Sequence, residues 1–271
     1  MGDCAMIRAD HLSYAIGGRS LVSDIDLGCT AGSVTVVIGP NGAGKSTLLR
    51  LVAGELRPSG GTVRYGDTAI AGLSAAELAT RRAVVPQAVH LAFSFTLSEV
   101  TRMGCGHRRN GEIAARDALA RVGLDDLADR QFHTLSGGEQ QRAHVARALV
   151  QLWQAGRPPT EQALLLDEPT ASLDLRHQIR TLELARAFAA EGGTVLAVLH
   201  DLNLAAEFAD HVVLMLGGCI VQQGPPAAVI ADETVSGVYE VVGTINRLPA
   251  RGVPYFLPQS RSDARNPTGS A

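Results

Sequence analysis

Gly39-Pro40-Asn41-Gly42-Ala43-Gly44-Lys45-Ser46-Thr47 follows the apolar run Val34–Ile38. It precedes a stretch that sets Leu48, Leu49, Val52 and Leu56 on one helical face. The nonapeptide fits the pattern GxxxxGK[ST], and a buried strand before it and an amphipathic helix after it are the context this pattern needs. The glycines let backbone N–H groups curl around phosphate oxygens, and the helix start adds partial positive charge. Lys45 reaches the terminal phosphates and Ser46 offers its hydroxyl to Mg²⁺. Only Lys45 among the 24 basic residues is a lysine. A role that keeps lysine here, in an arginine-rich chain, is one an arginine fork does not fill. The segment reads as a nucleotide phosphate site.

Working outward, Ala163–Asp167 is an apolar strand that ends in two adjacent carboxylates, Asp167 and Glu168. In a parallel sheet ligands bind at the carboxyl ends of the strands, so both acids are expected to face the Gly39–Thr47 loop. Asp167 suits the Mg²⁺ shell and Glu168 suits a base that polarises an attacking water. A third segment, Leu135-Ser136-Gly137-Gly138-Glu139-Gln140-Gln141-Arg142, carries the capping-box spacing Ser136–Glu139 ahead of an apolar face formed by Val145, Leu149 and Leu152. Two glycines in a first turn weaken a helix built only for structure. They suit a backbone that approaches an anion closely.

These three segments, in this order, resemble the ATP-binding cassette (ABC) family of transporter motor subunits, over roughly residues 5–240. The resemblance implies an α/β fold: a P-loop NTPase core with an N-terminal antiparallel β subdomain and a helical signature subdomain. It implies one ABC ATPase domain over 1–245, with the helical subdomain at about 88–160 and a partly disordered extension over 246–271. By the same resemblance Tyr14 is similar to the aromatic that stacks on adenine, and Gln87 to the glutamine that binds Mg²⁺ and water. Ser172-Leu173-Asp174 resembles the loop that crosses the dimer interface, and His200 the switch histidine near the γ-phosphate. ATP and Mg²⁺ are the implied cofactors. The implied assembly is a homodimer with two composite ATP sites, in which Ser136, Gly137, Gly138 and Glu139 of one chain face the phosphate loop of the other. Separate transmembrane permease subunits and a periplasmic or extracellular substrate-binding protein complete it, on the cytoplasmic face of the membrane.

Within the family, the run Phe93-Ser94-Phe95-Thr96-Leu97-Ser98-Glu99-Val100 with Met103-Gly104 resembles importers of iron chelates, haem and cobalamin. The stretch Gln151-Leu152-Trp153-Gln154-Ala155-Gly156-Arg157-Pro158-Pro159 is longer than usual and is similar to hemin-import ATP-binding subunits. A siderophore or cobalamin importer subunit and a soluble ABC ATPase remain alternatives.

The 271 residues carry a formal charge of −3, and 46% are hydrophobic against 19% charged. That composition supplies a core and excludes global disorder. With 4% aromatic residues and no basic excess, nothing favours nucleic acid as a partner. No apolar run reaches the roughly 18 residues of a membrane helix, and the early Asp3, Arg8 and Asp10 interrupt any signal-peptide core. Cys4, Cys29, Cys105 and Cys219 are dispersed, so no disulfide framework is expected. Cys105 with His107 offers too few ligands for a metal.

The remaining pattern predicts strands at 5–9, 12–16 and 21–27 as a small antiparallel sheet. Further strands fall at 62–65 and 83–85. Residues 96–155 read as mostly helical, with breaks at 107–111 and 129–133. Alternation then resumes: strand Ala163–Asp167, helix Leu175–Ala190, strand 194–199, helix 202–209, and a hairpin of 212–216 with 219–223.

Overall fold

The computed structural model describes residues 5–87, 94–106, 111–171, 173–241, 245–247 and 257. In chain order the first half gives β1 (Ala5–Ile16), β2 (Arg19–Thr30), β3 (Val34–Ile38), α1 (Lys45–Val52), β4 (Gly60–Tyr65), β5 (Thr68–Ala69), α2 (Ala75–Arg81), β6 (Arg82–Val85), α3 (Leu97–Arg102) and α4 (Gly111–Val122). The second half gives α5 (Gly137–Trp153), β7 (Ala163–Asp167), α6 (Leu175–Ala190), β8 (Thr194–Val198), α7 (Leu202–Phe208), β9 (His211–Leu216), β10 (Cys219–Gly224), α8 (Pro226–Val229) and α9 (Asp232–Tyr239).

Two sheets form. One is antiparallel with order β2-β1-β4-β5, and the other has order β10-β9-β3-β8-β7-β6. In the larger sheet β9, β3, β8, β7 and β6 are parallel, and β10 closes the edge as an antiparallel hairpin. Every residue of β3, β7 and β8 is buried. Their side chains alternate between two layers: Val36, Leu164, Leu166, Val195 and Ala197 meet the helices α4 to α7. Val37, Leu165, Leu196 and Val198 meet α1 and the antiparallel sheet. Covering on both faces is why these strands read as unbroken apolar runs rather than alternating ones. Each such Leu or Val contributes about 1.5–3 kcal/mol of burial.

The helical layer α3–α5 is inserted between β6 and β7. Two of its helices, α3 and α5, start at capping boxes: Thr96 with Glu99, and Ser136 with Glu139. The break expected at 129–133 runs into a single 3₁₀ turn at 132–134. Of the other expected break only Gly111 is described, as the first residue of α4; positions 107–110, including His107, lie outside the described residues. Within the extension 246–271, only 246, 247 and 257 are described, so the expected disorder of that tail also falls outside. Among the described residues no helix is long and apolar enough to cross a membrane.

Two local expectations change. The strands expected at 5–9 and 12–16 are one strand, β1, with irregular pairing to β2 between Ala9 and Leu12. There His11 (φ 50°) and Asp24 (φ 49°) both take left-handed backbone, a region that Asp and His tolerate better than most residues. The His11 Nδ1–Asp24 Oδ1 contact of 2.9 Å and the His11 N–H donated to Asp26 at 2.8 Å tie the irregularity together. Helix α1 ends at Val52, so Leu56 packs on the core from beyond the helix. Gly54 (φ 72°) ends it in a Schellman turn, in which Glu55 N–H donates to Arg50 O at 2.9 Å and Gly54 N–H to Leu51 O at 3.0 Å.

One buried group sets an acid limit on this fold. His144 of α5 is 2% exposed, sits edge-on to Phe132 at 5.3 Å, and among the described residues has no hydrogen-bond partner on either ring nitrogen. Burial, with Arg147 nearby, pushes its pKa down to about 4. Above pH 6.5 both folded and unfolded chains hold it neutral. Below that the unfolded chain takes up a proton that the folded one refuses, so stability falls until about pH 4. Between pH 6.5 and 5 this group is expected to cost the wild type about 2 kcal/mol relative to His144→Leu. Urea midpoints of the two proteins at both pH values check it, and parallel pH profiles would refute it.

Candidate phosphate-binding site

The loop between β3 and α1 has its shape because glycines stand where side chains have no room. Gly39 (φ 146°) lies so close to the Met215 carbonyl that any Cβ would collide with it. A Cβ on Gly44 (φ 97°) would come within 2.5 Å of Leu21 O. The loop is held from behind by the turn between β9 and β10: Gly218 N–H donates to Ala43 O at 3.0 Å, and Ser23 N–H donates to Gly218 O at 2.9 Å. Gly44 is the N-cap of α1 and supplies no side-chain acceptor. The first-turn N–H groups of α1 therefore keep their donor capacity for an anion.

Lys45 is 5% exposed and folds over this loop, with Nζ donating to Gly39 O at 2.9 Å and to Pro40 O at 3.0 Å. Burial lowers its pKa, and the carboxylates of Glu168 and Asp167 oppose that shift. Ser46 Oγ donates to Asp167 Oδ1 at 2.9 Å, which links the first turn of α1 to the end of β7. Burial raises the Asp167 pKa, against the hydrogen bond from Ser46. A buried carboxylate beside a hydroxyl, both hard oxygen donors, fits a Mg²⁺ ion, which would restore the charge balance burial disturbs.

Glu168 occupies left-handed backbone at φ 49°. Strain of this kind, of order 1–3 kcal/mol, persists only where the surroundings enforce it. The enforcement is visible: Glu168 N–H donates to Val198 O at 3.2 Å, across to β8. Its carboxylate is held from two sides, with Gln87 Nε2 donating to Oε2 at 2.7 Å and His200 Nε2 lying 2.6 Å from Oε1. Three segments that are far apart in sequence thus converge on one carboxylate: the end of β6, the end of β7 and the end of β8. The cavity beside it, about 270 Å³, is lined by Arg19, Leu21, residues 41–47 and Glu168.

The expected residues therefore divide. Gly39 to Thr47, Gln87, Asp167, Glu168 and His200 meet at one end of the parallel sheet. Tyr14 does not line the cavity; in β1 it pairs with Val22 of β2 and packs, half-buried, on the core beneath the antiparallel sheet. Arg19 and Leu21, from the start of β2, line it, and the sequence reading missed both. Their signal was the tight Gly17-Gly18 turn, which swings the start of β2 back to the phosphate loop. Ser136 to Glu139 and Asp174 also lie off this cavity, at the N-termini of α5 and α6. Ser136 Oγ donates to Glu139 Oε2 at 2.9 Å while Glu139 accepts the Ser136 N–H at 2.7 Å, which holds the Glu139 pKa down. Asp174 caps α6 by accepting the His177 N–H at 3.0 Å. Leu173 is buried, and Ser172 lies outside the described residues.

Residues 22–171 match the ABC transporter family. The chain is 51% identical to the hemin import ATP-binding protein HmuV of Agrobacterium fabrum (strain C58), over 94% of this chain and 99% of that one. It is 46% identical to the protein of the same name from Rhodopseudomonas palustris (strain HaA2), over 93% and 97%. Among solved structures it is similar to the ATP-binding cassette MJ1267 in its ADP conformation, with TM-score 0.74, 24% identity, and 87% and 98% of the two chains covered. It is also similar to the dimeric post-hydrolysis state of the cassette MJ0796 bound to ADP and Pi, with TM-score 0.72, 25% identity, and 82% and 99% covered.

Proposed function

The chain belongs to the ABC transporter family, and from that premise we propose that it is the ATP-hydrolysing subunit of a haem importer, working with a separate membrane permease. The observation that carries the hydrolytic part is the clamped carboxylate: Glu168 fixed by Gln87 and His200, one residue beyond an Asp167 bonded to Ser46. The haem assignment rests on relatives named for hemin import that align over more than nine-tenths of this chain.

ATP enters with its β- and γ-phosphates against the N–H groups of the 39–47 loop, and the ammonium of Lys45 swings from the Gly39 and Pro40 carbonyls to the phosphate oxygens. Ser46, Asp167 and the Gln87 amide oxygen would hold Mg²⁺, which when bound would neutralise phosphate charge. Glu168 takes the proton of a water aligned with the γ-phosphorus. His200, bonded to the same carboxylate, fixes its orientation and stands ready for the γ-phosphate. Arg19 and Leu21 line the same cavity from the start of β2.

Ser136 to Glu139 lie off the cavity of their own chain, which suits them to the phosphate of a second chain in a homodimer with two composite sites. The dimeric post-hydrolysis relative supports that arrangement. ATP then joins the two subunits and hydrolysis releases them, moving the permease to which they are bound on the cytoplasmic face of the membrane. A substrate-binding protein delivers the cargo on the far side.

The test is growth of a strain deleted for this gene on haem as sole iron source. Wild type should restore growth and Glu168→Gln should not. Restoration of siderophore or cobalamin uptake in place of haem uptake would reject the cargo while leaving the ATPase reading intact.

A further inference from the structure

The helix that begins at Ser136 reaches the catalytic carboxylate of its own chain through a side chain with no role so far. Gln141, in the second turn of α5, is 5% exposed, an unusual depth for a polar residue on a helix flanked by the loop before β7. Its Nε2 donates to the carbonyl of Pro86 at 3.4 Å. Pro86 immediately precedes Gln87, whose own Nε2 donates to Glu168 Oε2 at 2.7 Å. The neighbouring Gln140 is spent locally, donating to Phe132 O at 3.3 Å and Leu135 O at 3.1 Å within the approach to α5. Only Gln141 of the pair crosses to the segment that carries Gln87.

The segment needs such a hold. Among the described residues β6, which ends at Val85, pairs with β7 alone, and Pro86 offers no N–H to any ladder. The residues after Gln87, 88–93, lie outside the described part of the chain. The Pro86 carbonyl is thus the last backbone acceptor before Gln87, and Gln141 is the side chain that takes it. A shift of about 1 Å in a group that orients a reacting centre costs on the order of tenfold to a hundredfold in rate.

We propose that Gln141 is a positioning residue: by holding the Pro86 carbonyl it fixes Gln87 against Glu168, and so ties the helix presented to the partner's ATP to the hydrolytic centre of its own chain. The proposal rests on the reading of Glu168 as the base and Gln87 as its partner. Movement of α5 on engaging the second nucleotide would reach Glu168 through three side chains, Gln141, Gln87 and the carboxylate itself.

The test is steady-state ATPase of the full chain with three single variants and one double. Gln141→Met keeps the length and loses the donor. It should lower kcat about tenfold and leave KM for ATP within twofold, because no phosphate contact is touched. Gln141→His, whose Nε2–H reaches a similar point, should recover most of that loss. Added to Gln87→Ala, Gln141→Met should cost less than a further twofold, since its effect runs through the amide already removed. Should Gln141→Met not fold, Gln141→Leu, apolar and without a donor, puts the same question. A kcat for Gln141→Met within twofold of wild type, or a full tenfold loss in the Gln87→Ala background, overturns the inference. If Gln87→Ala itself keeps wild-type turnover, the reading of the site beneath it fails instead, and the inference with it.

Discussion

Glu168→Gln is expected to bind ATP, to lose roughly 10²–10⁴ in hydrolysis, and to accumulate as an ATP-bound dimer. The amide keeps the shape of the carboxylate and both of its contacts. Its oxygen still accepts from Gln87 Nε2, and its NH₂ takes the place of the oxygen that faces His200 Nε2. The backbone at φ 49° is equally available to Gln and Glu, so the substitution adds no strain. What disappears is the ability to take a proton from water. With the phosphate loop intact and turnover stopped, the sandwich that hydrolysis would open stays closed. Size-exclusion chromatography with and without Mg-ATP reads the shift. A monomer peak at saturating ATP would contradict the composite site, and turnover within tenfold of wild type would remove Glu168 from the role of base.

The parts of this site that sequence disclosed are those where one local rule decides. The run from Val34 to Thr47 has a strand buried on both faces, glycines at forced positive φ and a helix start without a side-chain cap, and each leaves its mark in composition. The apolar run ending in Asp167-Glu168 is of the same kind, because a strand covered on both sides has to be apolar until it emerges. The capping box at Ser136 is written in four residues.

What sequence concealed depends on approach through space. Arg19 and Leu21 reach the cavity because the antiparallel sheet folds against the phosphate loop, close enough that Gly44 has no room for a Cβ. No periodicity within β2 records that. The left-handed backbone of Glu168 is imposed by β8 and has no local signal, since glutamate does not favour it. For Tyr14 the resemblance alone implies a ring for adenine; its place in a strand suggests the half-buried position in β1 that it takes. The end of α1 was legible in principle, because Gly54 is a Schellman glycine, but the apolar pattern running on to Leu56 outweighed it.

Lys45→Arg keeps the charge and is nevertheless expected to lower kcat/KM for ATP by roughly 10²–10³, comparable to removing one preorganised donor from a transition state. The reason is the space around Nζ. Lys45 is 5% exposed, its ammonium bridges Gly39 O and Pro40 O at 2.9 and 3.0 Å, and the loop that contains those carbonyls cannot widen. Gly39 is pressed on the Met215 carbonyl and Gly44 on Leu21 O, so any outward shift of the loop meets backbone. A planar guanidinium is broader than an ammonium and presents its donors in a fixed fork, and it has no place between the phosphates and that wall. The two side chains also differ in titration. Burial lowers the Lys45 pKa, so the wild type should lose ATP affinity on the alkaline side before free lysine would titrate. An arginine, which stays charged, would show no such limb. Equilibrium ATP binding and kcat/KM for wild type, Lys45→Arg and Lys45→Ala between pH 7 and pH 10 decide the matter. Near-wild-type behaviour of the arginine variant beside a dead alanine variant would mean that charge alone suffices. Two equally damaged variants would mean that the compact shape of the ammonium, held by those two carbonyls, is what the loop selects.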